Sequence, residues 1–407
     1  MTTDYDCPVL TQIEAITAAH ELAAGYAAGA AERDRARQLP HQEMDLLSKS
    51  GLLALTVPRA YGGADLPAST VADITRILAA ADPNIAQIPH SHFVYVNLLR
   101  LGGSEEQRAT YFGQVLKGAR IANAQAERSG PTAADVATTL RPVDGRFRID
   151  GTKYYCTGSP FADIIAVLTR LDDPAQVTGL PDGQYIVFLP ADNPGVQIVD
   201  DWDALGQRTT GSGTIVFDGV EVERPQLVPR AAAVNAPTGY GAFAQLLHAA
   251  IDAGIARGAL TAAASFAREK SRPWFEAAVD RAVDDPLLVQ RFGELDVTVR
   301  AAEAALSVAA KHVDAIMDGD ARDVPKLAAD TSLAVATAKI LADRAANEVS
   351  SALFEVTGTR STAAELNLGH FWRNARTHTV HDPVRWKTQH LGRALLHGTP
   401  PPLHSAI

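Results

Sequence analysis

The sequence predicts an α+β protein in which an N-terminal helical segment is followed by a central β segment and a C-terminal helical bundle. Three changes of pattern support this order. Residues 11–117 are Ala-rich with helical periodicity, residues 120–230 contain short apolar runs separated by Gly, Pro and Asp, and long helical stripes return from residue 242. We predict domains over residues 1–120, 121–235 and 236–407.

The N-terminal segment carries clear helix-ending and helix-starting signals. Gly102 and Gly103 end one helical stretch, and Ser104 with Gln107 forms a capping box for the next helix. In such a box the Ser hydroxyl bonds a free backbone amide while the Gln side chain bonds the amide of the cap. An N-terminal α-helical domain is therefore expected.

The central segment has the alternation and turn residues of short strands. Phe147 and Ile149 alternate with polar residues directly after Asp144-Gly145, a pair typical of hairpin turns. Further short apolar runs occupy residues 164–168, 185–189, 196–199 and 214–217. Strands of this length and spacing predict a small β-barrel or β-sandwich domain.

The C-terminal segment predicts long helices that pack as a helical bundle. Asp285 and Pro286 form an N-cap and first-turn pair, and Gly358 is suited to end a later helix. Apolar residues after Pro286 recur at alternating spacings of four and three, so that they form one stripe along the helix. That stripe comprises Leu288, Phe292, Leu295, Val299, Ala302, Leu306, Ala309, Val313 and Ile316.

Composition excludes several classes of protein. The chain has 407 residues with 37 basic and 47 acidic side chains, and the resulting charge of −10 disfavours nucleic acid as a partner. Cys7 and Cys156 are far apart, which excludes a disulfide scaffold or a cysteine zinc site. No uninterrupted apolar run is long enough to span a membrane, and residues 1–6 do not read as a secretory signal. We therefore expect a cytoplasmic protein.

Two histidine groups are candidates for acid–base chemistry. His90 and His92 flank Ser91 in a helical segment, and His378 and His381 are three residues apart near the C-terminus. Histidine exchanges a proton near neutral pH, which suits general acid–base catalysis. The same spacing also fits structural histidines that share a helix face. A metal site is disfavoured because the sequence has no HExxH pattern.

Glycine-rich phosphate-binding loops are absent from the sequence. Gly211-Ser212-Gly213 precedes a strand rather than a helix, so it fails the context of a dinucleotide-binding fingerprint. A nucleotide-like cofactor would need side chains to hold its phosphate, and Arg272 beside Trp274 offers a guanidinium next to an aromatic ring. Arg272 is equally consistent with a surface arginine before a helix-ending proline.

Three motifs together resemble the acyl-CoA dehydrogenase superfamily over nearly the whole chain. They read VPRAYGG at residues 57–63, GTKYYCTG at residues 151–158 and LGQRTTGSG at residues 205–213. The resemblance implies an acyl-CoA dehydrogenase-like fold with a C-terminal four-helix bundle, in the helix–β–helix order already described. It also implies a homotetramer with flavin between the β domain and the C-terminal bundle.

The C-terminal motif is similar to a monooxygenase branch of that superfamily. The dehydrogenases place a catalytic Glu-Gly in this region, whereas here the chain reads HTVHDP at residues 378–383. With FWRN at residues 371–374, this resembles the flavin-dependent branch that includes dibenzothiophene monooxygenases, sulfur-acquisition oxidoreductases and methanesulfinate monooxygenases. The branch implies oxygenation through a flavin C4a-(hydro)peroxide.

The resemblance also implies roles for individual residues. His92 and His381 correspond to histidines that face the flavin C4a edge, and Thr157 corresponds to a hydroxyl residue near flavin N5, where relatives have Ser. Ala126 departs from the hydroxyl residue common in dehydrogenases. The catalytic residues implied are thus His92, His381 and Thr157. The cofactor-binding residues implied are Asn123, Thr157, Trp202, His378 and, from a neighbouring subunit, Arg272 with Trp274.

The predicted function is oxygenation of a small organosulfur compound, in sulfur acquisition, by reduced FMN and molecular oxygen. FMN is expected rather than FAD, supplied by a separate NAD(P)H-dependent flavin reductase because no nicotinamide motif is present. Three alternatives stay open at this point. They are a thioester dehydrogenase with a relocated base, a flavin-binding protein without turnover, and an oxygenase that acts on nitrogen or aromatic carbon.

Overall fold

The computed structural model of the chain describes residues 4–132, 134–318, 323–404 and 406–407. Residues 1–3, which belong to the segment judged to lack a secretory signal, lie outside the described residues. The longer helices are α1 Gln12–Ala36, α2 His41–Lys49, α3 Ala68–Ala81, α4 Pro83–Gln87, α5 His90–Gly102, α6 Glu105–Leu116, α7 Ala231–Val234, α8 Tyr240–Glu269, α9 Pro286–Met317, α10 Val324–Thr357, α11 Gly369–His378 and α12 Val384–His397.

The middle of the chain forms one mixed sheet. Its strands are β1 Ile121–Ala124, β2 Thr139–Val143, β3 Arg146–Lys153, β4 Ile164–Leu171, β5 Gln184–Pro190, β6 Val196–Val199, β7 Thr214–Val222 and β8 Leu227–Pro229. The strand order is β6-β7-β3-β2-β4-β5-β8, with β1 paired in parallel to β4. The β2–β4 pair is also parallel, whereas the other neighbours are antiparallel.

Local signals in the sequence form the structures that they predict. Ser104 and Gln107 make the reciprocal capping box of α6, and the Asp285 side chain caps α9 directly before Pro286. Asp144 and Gly145 both have positive φ, at 49° and 79°, and join β2 to β3 in an antiparallel hairpin. Gly358 ends α10 with φ at 74°.

The N-terminal helices and the C-terminal bundle share one apolar core. Helix α3 packs against α8 so closely that a Cβ on Gly254 would lie 2.5 Å from Cβ of Ala79. The predicted stripe of α9 faces this core, with Leu295, Val299 and Ala302 each fully buried. The sheet has its own core, and α5 and α6 cover one part of it. The junction of α5, α8 and the sheet is where the candidate site lies.

The predicted α+β fold class is confirmed, with helical ends and a central β region. Three strands, β1, β2 and β8, are additional to the runs singled out in the sequence. They are short, and β2 and β8 each contain a proline, so their apolar pattern is weak. Among the described residues, no helix is both long enough and apolar enough to cross a membrane.

Candidate active site

Four histidines from three helices and one turn meet at the N-terminal end of α5. His90 is the first residue of α5, His248 lies in α8, His378 is the last residue of α11, and His381 follows in the next turn. The His248 ring is stacked on His90, with centroids 3.9 Å apart, and tilted against His381 at 4.1 Å. Nδ1 of His248 lies 3.1 Å from Nε2 of His378.

A buried carboxylate stands behind this cluster. Asp252 is one helical turn after His248 on α8, so that both side chains lie on the same helix face. Its Oδ1 atom lies 2.6 Å from Nδ1 of His378, and its Oδ2 atom accepts a hydrogen bond of 2.5 Å from Nζ of Lys339. Burial alone would raise the pKa of Asp252, but the Lys339 ammonium and His378 hold that pKa below its ordinary value.

Burial lowers the pKa of His90, His248 and His378 and so favours their neutral forms. It lowers the pKa of His90 to about 3, although Nε2 of His90 donates to the Ala244 carbonyl at 2.9 Å. It also lowers the pKa of His248 well below 6.5, with further lowering by the neighbouring histidines and Lys339. The His381 side chain is half exposed. A neutral imidazole can accept a proton, so the cluster is suited to proton exchange.

A second carboxylate lies beside His381 and is also paired with a lysine. Asp382 bonds the Lys387 ammonium, and Lys387 donates a further hydrogen bond of 2.8 Å to the Ala406 carbonyl. Burial would raise the pKa of Asp382, but His381 and Lys387 hold that pKa far below its usual value. Both carboxylates of the cluster are therefore ionised and compensated. Within the described ranges, no group of three or more His, Cys, Asp or Glu residues could hold a metal ion.

A chain of hydroxyl groups runs from Thr157 into the protein. Oγ1 of Thr157 lies 2.7 Å from Oγ of Ser212, which lies 2.7 Å from Oγ1 of Thr210. Thr210 donates its proton to the Gln207 carbonyl at 2.9 Å. Each hydroxyl has one proton, so Ser212 must donate to Thr210 and Thr157 must donate to Ser212. The free side of Thr157 Oγ1 can therefore only accept a hydrogen bond.

The Thr157 loop, β1 and the start of α5 meet at Gly158. Gly158 has φ at +82°, and a Cβ placed there would lie 3.2 Å from Cγ2 of Ile88 and 3.8 Å from Cβ of Ala122. Thr157 and Asn123 directly adjoin these contact residues, and His90 is two residues beyond Ile88. These contacts connect the Thr157 loop to β1 and to the residues that precede α5.

Asn123 and Gln207 have buried polar atoms that are available to a bound ligand. Oδ1 of Asn123 is buried and has no hydrogen-bond partner in the part of the chain that the structure describes. The same is true of both amide atoms of Gln207, a side chain that is 2% exposed. Buried polar groups are nearly always paired, so unpaired ones indicate an occupant. The sequence motif contained Gln207, but its side chain was not recognised as a site candidate.

Trp202 belongs to the same loop system. Its Nε1 atom donates a hydrogen bond of 2.7 Å to the Gln207 carbonyl, which also accepts from Thr210. Its ring stands edge-on to Tyr155, with centroids 6.1 Å apart. The Gln207 carbonyl thus joins Trp202 to the hydroxyl chain of Thr157, whereas His378 and His381 lie in the histidine cluster.

The structure places His92 in different surroundings from His381. Nε2 of His92 donates to the Leu53 carbonyl at 2.8 Å, and its Nδ1 accepts from the Ile121 amide at 3.2 Å. Burial lowers the pKa of His92 to about 4. One ring nitrogen therefore joins α5 to the turn at Leu53, and the other joins α5 to β1. The histidine of this pair that contacts the cluster is His90.

Arg272 and Trp274 lie apart from the other candidate residues of the same chain. They occupy the exposed segment between α8 and α9, where Trp274 is 62% exposed and its Nε1 donates to Glu276 at 2.8 Å. The neighbouring Phe275 is 76% exposed. This position agrees with the expectation that the two residues would serve a neighbouring subunit, which stays a prediction.

These features define a flavin-enzyme fold with a histidine-rich site, and the chain belongs to the acyl-CoA dehydrogenase family. It matches the N-terminal domain of that family over residues 10–119, the middle domain over residues 124–220 and the C-terminal domain over residues 246–386. The predicted resemblance is thereby confirmed over most of the chain.

Individual relatives identify the branch. The chain is 34% identical to a dibenzothiophene monooxygenase of Rhodococcus qingshengii, over 95% of this chain and 94% of the relative. It is 31% identical to the probable FMNH2-dependent monooxygenase SfnC of Pseudomonas putida, over 95% and 96% of the two chains.

Solved structures agree with the sequence relatives. The FMN-bound structure of TdsC from Paenibacillus sp. A11-2 matches with a TM-score of 0.91 and 33% identity, over 97% of this chain and 100% of TdsC. The methanesulfinate monooxygenase MsuC from Pseudomonas fluorescens matches with a TM-score of 0.89 and 30% identity, over 96% and 99%. The predicted class, a flavin-dependent monooxygenase with this fold, is confirmed.

Proposed function

We propose that this chain is the oxygenase of a two-component system that uses reduced FMN and molecular oxygen to oxygenate a small organosulfur compound. The relatives above are named for dibenzothiophene and methanesulfinate, both sulfur compounds, and SfnC is named as FMNH2-dependent. A role in sulfur acquisition accords with these names. FMN rather than FAD is supported by the FMN-bound TdsC structure.

The polar groups of the site fit a reduced flavin. The free side of Thr157 Oγ1 accepts a hydrogen bond, which suits the N5–H group of the reduced ring. The unpaired amide groups of Asn123 and Gln207 offer further partners to the ring edge. When bound, reduced FMN supplies the electrons and the carbon atom at which oxygen is activated.

The observation that carries the proposal is which titratable groups of the histidine cluster are paired with an opposite charge. Asp252 and Asp382 are the carboxylates of the cluster, and each is held ionised against a lysine. A carboxylate in this state is a weak base, poorly suited to remove the α-proton of a thioester. His381 instead lies against His248 with its side chain half exposed, and its imidazole is placed to exchange a proton. This favours the monooxygenase over the dehydrogenase alternative.

Oxygenation by reduced FMN also implies partners for this chain. The chain carries no dinucleotide-binding fingerprint, so we propose that a separate NAD(P)H-dependent flavin reductase supplies the reduced FMN. We also propose a cytoplasmic homotetramer in which Arg272 and Trp274 bind the FMN phosphate of a neighbour. The adjacent exposed rings of Trp274 and Phe275, 4.7 Å apart, support a subunit contact at this segment.

A reductase-free assay tests the proposal. Photoreduced FMN and isotopically labelled oxygen are mixed with the protein and a panel of sulfides, sulfones and sulfinates, and products are identified by mass. We expect a labelled product whose rate falls by roughly 100-fold or more in His381→Ala and is unchanged in His20→Ala, an exposed control. Product formation no faster than with free reduced FMN would instead identify a flavin-binding protein.

An anaerobic experiment separates the dehydrogenase alternative. The FMN-loaded oxidised protein is mixed with a series of acyl-CoA thioesters, and its flavin absorbance is followed. The proposal predicts that the oxidised flavin absorbance persists. Rapid bleaching would contradict the proposal and support thioester oxidation.

A further inference from the structure

A linear hydrogen-bond chain connects a buried lysine to the middle of the histidine cluster. Lys339 donates to Oδ2 of Asp252 at 2.5 Å, Oδ1 of Asp252 lies 2.6 Å from Nδ1 of His378, and Nε2 of His378 lies 3.1 Å from Nδ1 of His248. All four side chains are at most 2% exposed. The chain is therefore shielded from competing water along its whole length.

The chemistry of these four side chains determines which atom donates and which accepts in each hydrogen bond. An ionised carboxylate only accepts hydrogen bonds, so His378 must carry its proton on Nδ1. Neutral His378 then has a lone pair on Nε2, and His248 must donate to it from Nδ1. His248 is consequently unprotonated at Nε2. Nε2 is therefore the atom of His248 that can accept a proton.

Comparison with His92 separates this arrangement from an ordinary buried histidine. His92 satisfies both ring nitrogens with backbone groups, a carbonyl on one side and an amide on the other. His248 instead bonds a side chain, His378, which is itself bonded to Asp252, and its ring lies between those of His90 and His381. A histidine bonded to another titratable side chain can pass a proton to it, whereas one bonded to two backbone groups cannot.

We propose that His248 is the proton-exchanging residue of the site and that His378 and Asp252 are its positioning residues. A proton that enters at Nε2 of His248 is matched by transfer of the Nδ1 proton to Nε2 of His378. The charge then rests on a His378 imidazolium against the Asp252 carboxylate, and the reverse transfer returns the proton. No electrons move in this step. The role in turnover rests on the proposed oxygenase function, whereas the tautomers do not.

The charged groups around His378 favour release of the added proton. Besides Asp252 and Lys339, the groups that face the histidines are His90, His381 and Asp382, and Asp343 faces Lys339 and Asp252. Burial and the nearby Lys339 charge lower the pKa of His378, although Asp252 opposes them. A proton on His378 is therefore stabilised by Asp252 but is still released readily.

The tautomers are tested in the full-length protein without substrate by NMR of ¹⁵N-labelled histidines. Neutral His248 and His378, assigned by His248→Gln and His378→Gln, are expected to carry their protons on Nδ1. The Asp252→Asn side chain presents an amide N–H to Nδ1 of His378. The proton of His378 should then move to Nε2, and the proton of His248 should move from Nδ1 to Nε2. Wild-type His248 protonated at Nε2 would overturn the proposal whatever the activity.

A paired variant guards against misfolding. Asp252→Asn alone leaves a buried lysine unpaired, so Asp252→Asn with Lys339→Met removes both charges together. We expect this variant to fold and to lose roughly 100-fold or more in oxygenation rate with an altered pH profile, because no carboxylate is left to stabilise a His378 imidazolium. Full oxygenation by this folded variant, or by a folded Asp252→Asn protein with reversed tautomers, would refute the role of His248. If wild type itself fails to oxygenate, the proposed function fails while the tautomer result stands.

Discussion

The hydroxyl oxygens of Thr157 and Ser212 lie 2.7 Å apart, and Ser212 continues through Thr210 to the Gln207 carbonyl. This sequence of donors orients the Thr157 proton away from the site. Thr157 therefore presents lone pairs to whatever occupies the neighbouring space. A flavin ring meets such a group well only when its N5 atom carries a hydrogen.

Thr157→Val should weaken the binding of reduced FMN. The lost hydrogen bond is worth about 0.5–1.5 kcal/mol, a roughly 2- to 10-fold increase in Kd, and Thr157→Ser should retain wild-type affinity. Ser212→Ala frees the Thr157 proton to turn toward the site, which should favour oxidised FMN relative to reduced FMN. Anaerobic titration of both redox states measures the ratio. An unchanged ratio in both Thr157→Val and Ser212→Ala would show that this hydroxyl does not contact N5.

The buried pair of Lys153 and Glu127 should make stability depend on pH in the acid range. Burial would raise the pKa of Glu127, but Lys153 and the backbone amides of Thr138 and Ala137 lower that pKa from 4.5 to about 2. A depressed carboxyl pKa stabilises the fold above pH 4.5, and this contribution is lost as pH falls through about 2.

Urea denaturation at several pH values measures that contribution. We expect the free energy of unfolding to lose up to about 3 kcal/mol from this group between pH 5 and pH 2. The double variant Glu127→Gln with Lys153→Met removes the pair and should lack this part of the pH dependence. Identical pH dependence in wild type and the double variant would contradict the assignment.

Two glycine substitutions should change stability in opposite directions. Gly254→Ala places a Cβ 2.6 Å from the Arg76 carbonyl between α8 and α3, so we expect a loss of about 1–3 kcal/mol. Gly293→Ala in α9 meets nothing within 4 Å and should stabilise the helix by about 0.5–1 kcal/mol. Thermal unfolding measures the change in stability of each variant. An unchanged stability in Gly254→Ala would contradict the close helix contact.

The exposed segment at Trp274 should matter for assembly and for FMN. We expect Trp274→Ser with Phe275→Ser to reduce the mass measured by sedimentation, because two exposed rings would be lost from a subunit contact. Arg272→Ala should preserve the assembly and weaken FMN binding, since a guanidinium–phosphate contact is removed. Tetramers in the double variant together with unchanged FMN affinity in Arg272→Ala would count against a shared site.

Sequence reasoning predicted what depends on local pattern. The caps at Ser104 and Asp285, the turn at Gly145 and the stripe of α9 all depend on neighbours in the chain, and each is present. The pairing of His90 with His248 was beyond reach because it depends on how α5 meets α8.

His90 and His92 illustrate what could not be predicted from the sequence. Residues two apart on a helix face different sides, so only one of them can meet α8, and the sequence offers no sign of which. A usable signal for His248 did exist. His248 and Asp252 are polar residues one turn apart in the otherwise apolar run 246–256, a spacing typical of a buried polar pair. Gln207 and Lys339 had no comparable signal, because their surroundings are set by tertiary packing.

The central claim is that the protein transfers an oxygen atom from reduced FMN and oxygen to sulfur. The most direct measurement is the mass of products formed from labelled oxygen, photoreduced FMN and a panel of organosulfur compounds without any reductase. The account predicts incorporation of one labelled oxygen atom at sulfur, lost in His381→Ala and kept in His20→Ala. Absence of labelled product across the panel, with FMN bound and oxygen consumed, would contradict it.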